Sequence, residues 1–164
     1  MTAFITAKAV VFALAFLGGW IWVIRQVEGL SREWDAALPM WLAWLGAAVT
    51  AAGVVGTMVC IGIFIVRGRG TPAIFDAPTR FVAIGPYRYV RNPMYWSAAT
   101  LFAGLALSTP SLAALAFVPA WWLLIHAFVV LIEEPGLHRR FGDTYAVYCD
   151  QVPRWIPQLK PRIR

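Results

Sequence analysis

Charge is what this sequence has least of. Asp, Glu, Lys and Arg make up 13% of its 164 residues, about half the share of a soluble domain. Hydrophobic residues make up 60%, nine of the residues are Trp, and the mean hydropathy is +0.67. That excess of apolar surface excludes a single water-soluble core of this size, so most of it must be solvated by lipid. Cysteine is scarce too. Cys60 falls in an apolar run and Cys149 lies far from it with no CxxC spacing, which excludes a disulfide framework and a zinc site. Cys149 is read as an inert thiol. The only histidines are His126 and His138. Neither has a suitably spaced second ligand, so no metal is expected and His126 is read as a buried, hydrogen-bonded core residue. There is no Gly-rich phosphate loop, no Ser nucleophile elbow and no HExxH. The "GVVG" at Gly53–Gly56 has the wrong spacing for a dinucleotide loop and no strand before it. No Lys-rich tail or aromatic-interleaved basic helix supports nucleic-acid binding, despite a net charge of +6.

What is present is a set of four apolar runs. The first is Ala9 to Ile24, bulky at its distal end with Trp20 and Trp22 and with no cleavage site after it, so it reads as a retained span. The second, Ala36 to Val66, is 31 residues without a charge, longer than the ~20 that cross a bilayer. Its Gly46, Gly53, Gly56 and Gly62 allow close helix packing. The third starts at Asn92-Pro93, an N-cap followed by a first-turn proline, and ends near Ser108. The fourth starts at Thr109-Pro110, reaches about Ile132 and carries Pro119, which should kink it and leave the Leu115 carbonyl without its usual donor. A tight hairpin joins the last two. The expected fold is all-α: a polytopic membrane bundle of about four transmembrane helices plus a short C-terminal amphipathic helix, with no Rossmann domain. Residues 1–164 form one membrane domain, with N-terminal spans over 1–66 and a catalytic core over 85–157.

Cations are uneven between the runs. Five lie between Arg67 and Pro93 and six between Glu133 and Arg164, against one before Ala9 and none in the Thr109-Pro110 turn. The positive-inside rule then puts the 67–93 loop, the tail and both termini in the cytoplasm of a multi-pass protein, read as one of the bacterial inner membrane.

Three stretches at that rim carry chemistry. "GPYRYVRNPMY", Gly85–Tyr95, is rigid, cationic and aromatic. Glu133 and Glu134 end the fourth run, where adjacent carboxylates oppose the helix dipole and are costly at a lipid boundary unless paired. A functional pair is preferred to a solvated helix stop, with Arg88, Arg91 or Arg154 as partners. After a Pro135-Gly136 break, Leu137, Phe141, Tyr145, Tyr148 and Val152 recur on one helical face, read as an amphipathic helix against the membrane or the hairpin. Gly142 within it hints at a close approach by ligand or backbone. Pro153, Pro157 and Pro161 stiffen the tail, which reads as a lid or as a loose tail. Together these groups make a cup for an amphipathic small molecule: Arg for a carboxylate, Glu for an ammonium, aromatic faces for an adenine or a sulfonium.

"GPYRYVRNPMY" followed by "EEPGLHRRFGDTYAVYCDQVPRWIP" resembles the isoprenylcysteine carboxyl methyltransferases and the related phospholipid N-methyltransferases. The likeness covers the C-terminal half. It implies an integral-membrane methyltransferase using S-adenosylmethionine, with the cofactor under the C-terminal segment. Carried onto this sequence, the cofactor positions are Asn92, Pro93, Tyr95, Glu134, Leu137, Phe141, Gly142, Tyr145, Tyr148, Val152 and Pro153; His138 is added to them for its place near the rim, where it could touch a ligand. The catalytic positions are Glu133, Glu134, Arg91 and Arg154. Asn92 stands where many members have His, Ser97 where Gly is common, and Gln151 where Arg often precedes Val-Pro. The implied substrate is a lipid or isoprenoid from the bilayer. Carboxyl O-methylation leads, N-methylation of an aminophospholipid is the alternative, and a membrane reductase or a non-enzymatic membrane module is the reading of another class.

Overall fold

The computed structural model describes residues 2–30, 39–68, 81–109 and 111–161, and among them it is helical without a strand. The helices are α1 (Thr2–Leu30), α2 (Met40–Ile63), α3 (Pro93–Ser108), α4 (Leu112–Phe128), α5 (Glu134–Phe141) and α6 (Asp143–Gln151). π-turns extend α2 over Phe64–Gly68 and join α4 to α5 over Val129–Glu133, and a 3₁₀ turn covers Gly85–Arg88. Among the described residues three runs are long and apolar enough to cross a bilayer: Thr6–Val27, Met40–Gly68 and Ala113–Phe141. Helix α3, expected as a fourth span, has 16 residues. At 1.5 Å per residue it is ~24 Å long, short of the ~30 Å hydrocarbon layer.

The chain divides into two compact units. One comprises 13–58 and 95–125, and its α2 and α3 are antiparallel at backbone contact. Facing pairs run from Gly46 against Ser108, through Thr50 against Gly104 and Gly53 against Leu101, to Gly56 against Ser97. A Cβ on Gly46 would lie 2.6 Å from Ser108 Oγ, and one on Gly53 or Gly104 would strike the backbone opposite. In lipid no hydrophobic effect drives helices together, so small residues and dispersion contacts must do it. Three of the four glycines expected to serve this purpose do so; at Gly62 no neighbouring element comes within 4 Å of where a Cβ would lie. The hydroxyls here turn back on their own helices, Thr50 to Gly46 O at 2.8 Å and Ser108 to Gly104 O at 2.9 Å. Trp121 is fully buried, and the rings of Phe102 and Trp20 meet it edge-on at 5.1 and 6.1 Å. Between α3 and α4 lies an open apolar recess of about 510 Å³, flanked by Trp96 and Trp122 and floored by Ala99, Ala103 and Pro119.

Helix α4 begins two residues later than its expected cap. Ser111 Oγ accepts the Ala114 N–H at 3.2 Å, whereas the Thr109 hydroxyl donates back to Leu105 O at 3.0 Å. Pro119 is accommodated inside α4.

The other unit comprises 1–12, 59–94 and 126–164. Here the expected break at Pro135-Gly136 is absent. The Glu134 N–H bonds Val129 O, five residues back, and Pro135 falls in the first turn of α5. A proline mid-helix removes a donor and collides with the carbonyl four residues before it. Widening one turn absorbs both problems, so the helix continues to Phe141. Glu134 therefore lies within a continuous helix rather than at its end, and the C-terminal dipole of that helix favours Arg139 and Arg140 in the last turn.

The single amphipathic helix expected after Leu137 is two short helices. Gly142, at φ +52° and ψ −129°, separates α5 from α6, in a region essentially restricted to glycine. No atom lies within 4 Å of where its Cβ would be, so backbone conformation explains this glycine, not a close approach. The apolar set still converges, but inward. Tyr145, Tyr148 and Val152 are buried in one cluster with Leu137, Phe141 and Cys149, packed against Phe81 and Ala83.

Candidate functional site

Glu134 is the centre of the second of these units. The π-turn and Pro135 hold its side chain 11% exposed, where a lone carboxylate would be costly. Two arginines enclose it. Arg154 makes a two-pronged contact, Nε to Oε1 and Nη2 to Oε2, both at 2.8 Å. Arg91 Nη1 lies 2.9 Å from Oε1 and also donates to the Cys149 sulfur at 2.8 Å. The carboxylate in turn holds the Arg154 guanidinium charged, pushing its pKa above the usual arginine value. Two cations on one anion leave the cluster net positive. Arg91 Nε is also buried without a hydrogen-bond partner, and such an orphan donor calls for an acceptor.

Each arginine is delivered by a fixed backbone. The Arg91 N–H donates to Pro153 O at 2.9 Å. Buried Asn92 donates its side-chain amide to Arg154 O at 3.2 Å. Gln158 completes the seam, its main-chain N–H to Tyr89 O at 3.0 Å and its side chain to Arg88 O at 2.9 Å. The tail is therefore a strap bonded along "YRYVRN", which decides between the lid and the loose tail.

Aromatic rings form the next layer. Burial raises the phenol pKa of Tyr145, with Cys149 and Glu134 adding to the rise. Burial raises that of Tyr148 too, against an opposing pull from Arg91. Both hydroxyls stay protonated through the physiological range. Tyr148 OH donates to Tyr87 O at 2.7 Å, tying α6 to the 3₁₀ turn. Tyr87 itself is buried against Phe64 and Cys60, and its phenol is also pushed up by burial. Exposed His138 meets the Tyr145 ring at 4.7 Å.

Among the residues expected from the sequence, the structure thus brings together Arg91, Asn92, Glu134, Tyr145, Tyr148, Val152, Pro153 and Arg154. Leu137, His138 and Phe141 surround the tyrosines. Glu133 is half-buried and acts electrostatically on Tyr87. Pro93 is buried at the start of α3, and Tyr95, buried two residues on, falls in the other unit. Gly142 supplies the turn. His126 is hydrogen-bonded, accepting the Trp155 indole N–H on Nδ1 at 2.8 Å, but it is exposed rather than buried in a core. The sequence reading missed the Arg91–Cys149 contact and the part played by Gln158. Among the described residues no His, Cys, Asp and Glu cluster could hold a metal.

No curated protein and no solved structure matches the chain. The profile of a family of membrane methyltransferases acting on lipids does match, over residues 41–144, which take in α2, α3, α4, Arg91, Asn92 and Glu134. That match covers more than half of the sequence, and the chain belongs to the phospholipid methyltransferase family.

Proposed function

We propose that this protein is a membrane methyltransferase that binds S-adenosylmethionine at the Arg91–Glu134–Arg154 cluster and methylates a lipid-embedded acceptor. The observation that carries this reading is the cluster itself: one buried carboxylate between two guanidiniums, with a buried Arg91 N–H unpartnered. A zwitterionic amino-acid end fits such a set. Glu134 takes an ammonium, Arg91 or Arg154 a carboxylate, and the Tyr145 and Tyr148 rings suit a sulfonium or an adenine.

The cofactor, when bound, supplies a methyl group already activated by a positive sulfur. The chain's own work is therefore positioning and the exclusion of water. The strap does both, since Asn92 and Gln158 hold it down and Arg154 reaches Glu134 from it. Leu137, His138, Phe141, Gly142, Val152 and Pro153, all of the same unit as Glu134, are assigned to the cofactor pocket. Because Glu134 is held by two arginines, it is poorly placed to take a proton, and the net positive cluster suits an anionic acceptor. This favours carboxyl O-methylation, which needs no base. The family match favours the second reading, N-methylation of a phospholipid amine, in which Glu133 takes the proton. The apolar recess beside Trp96 and Trp122 has the dry lining a hydrocarbon chain prefers. We read α3 as a short fourth crossing, and with four crossings the positive-inside rule assigns both termini to the cytoplasm.

The test is to incubate membranes containing the protein with methyl-labelled S-adenosylmethionine and treat the lipid product with mild base. Release of volatile label identifies an ester. Retention of label identifies a methylated amine. No labelled lipid above an inactive Glu134→Gln control rejects the reading.

A further inference from the structure

The strap from Pro153 to Pro161 divides its groups between two directions. Inward go the Pro153 and Arg154 carbonyls, both N–H groups of Gln158, and the Trp155 indole. Outward go Ile156, 79% exposed, and Leu159, 97% exposed. The hydrogen bonds that fix the strap also fix these two side chains in the open, so they cannot fold beneath it. Leu159 is followed by exposed Lys160, and the sequence continues through Arg162 and Arg164 with no acid after Asp150. Exposed Arg139 and Arg140 on α5 add cations to the same unit. The exposed acids of this stretch, Asp143 and Asp150, lie on α6 and not on the strap, so the strap itself presents apolar side chains beside a cation, which complements a surface with apolar depth and negative headgroups.

We propose that the strap is a docking element for an anionic leaflet: Ile156 and Leu159 enter the interfacial layer and Lys160 meets lipid phosphates. Arg154 lies on the same strap, two residues before Ile156, and docking steadies its contact with Glu134. Only that consequence rests on the proposed methyltransferase reading; the docking stands without it.

The full chain in nanodiscs of phosphatidylcholine alone, and of phosphatidylcholine mixed with phosphatidylglycerol, tests this by hydrogen exchange of peptides covering 153–161. With the anionic lipid, exchange there slows about tenfold. The exposed-site double variant Ile156→Ser, Leu159→Ser loses that slowing, while the rest of its exchange map matches the wild type. Equal exchange in the two discs overturns the proposal, as does slowing that survives the double variant. Slowing that follows protein concentration instead of lipid charge gives the patch to a second copy of the chain and also overturns it. If the strap slows as expected but S-adenosylhomocysteine does not bind, the docking stands and the methyltransferase reading falls.

Discussion

The contact between α2 and α3 and the cluster around Glu134 are both close packings, made from opposite materials. The first is built from Gly46, Gly53, Gly56 and Gly104, whose lack of side chains lets two backbones meet. The second is built from two of the longest side chains, converging on one carboxylate. The helix contact asks only for shape, and any side chain there is an obstacle. The cluster asks for charge balance, and each member is stable only while the others remain. One region secures the fold. The other holds buried polar groups in mutual charge balance, where the proposed ligand would bind.

That contrast predicts different failures. Gly53→Leu would force its side chain into the Leu101 backbone, at a cost of about 3 kcal/mol or more. Thermal melts in detergent should show loss of folded protein, and activity should fall only in proportion to it. Arg154→Lys should do the reverse. It keeps the charge but loses the two-pronged contact, so S-adenosylhomocysteine binding weakens about tenfold, or ~1.4 kcal/mol, with little change in melting. Asn92→Ala removes the hydrogen bond to the Arg154 carbonyl, worth ~1 kcal/mol, and should weaken binding by about fivefold. Greater loss of ligand binding in Gly53→Leu protein that remains folded would erase the distinction.

Alkali should separate the regions at the smallest scale. Tyr145 and Tyr148 have phenol pKa values raised by burial in the folded protein, above the ~10 of an unfolded chain. A raised pKa means that the folded state holds the proton longer. Their contribution is therefore complete below about pH 10 and is lost as pH rises past it. Hydrogen exchange followed upward from that pH should loosen α6 and the strap before the α2–α3 contact, whose facing residues do not titrate.

Much of this was legible in the sequence where one residue type has one physical use. Asn92-Pro93 marked the start of α3 at the observed residue, and paired acids beside a lipid-length helix required cationic partners. Signals with two uses misled. Pro135 ends a helix or widens it, and only the room left by the Val129–Glu133 turn decides. The regular spacing from Leu137 to Val152 located an apolar face but concealed the turn at Gly142. Contacts across long separations left no periodicity to read: Arg91 to Cys149 spans 58 residues and Gln158 to Arg88 spans 70.

The central claim is that Glu134 and its two arginines form the seat of a zwitterionic methyl donor. Calorimetric titration of S-adenosylhomocysteine into the purified full chain tests it most directly, comparing wild type with Glu134→Gln. The account predicts saturable one-site binding to the wild type and a loss of about a hundredfold or more in the variant, ~2.7 kcal/mol, with helical content unchanged. Equal affinity in the two proteins would contradict it.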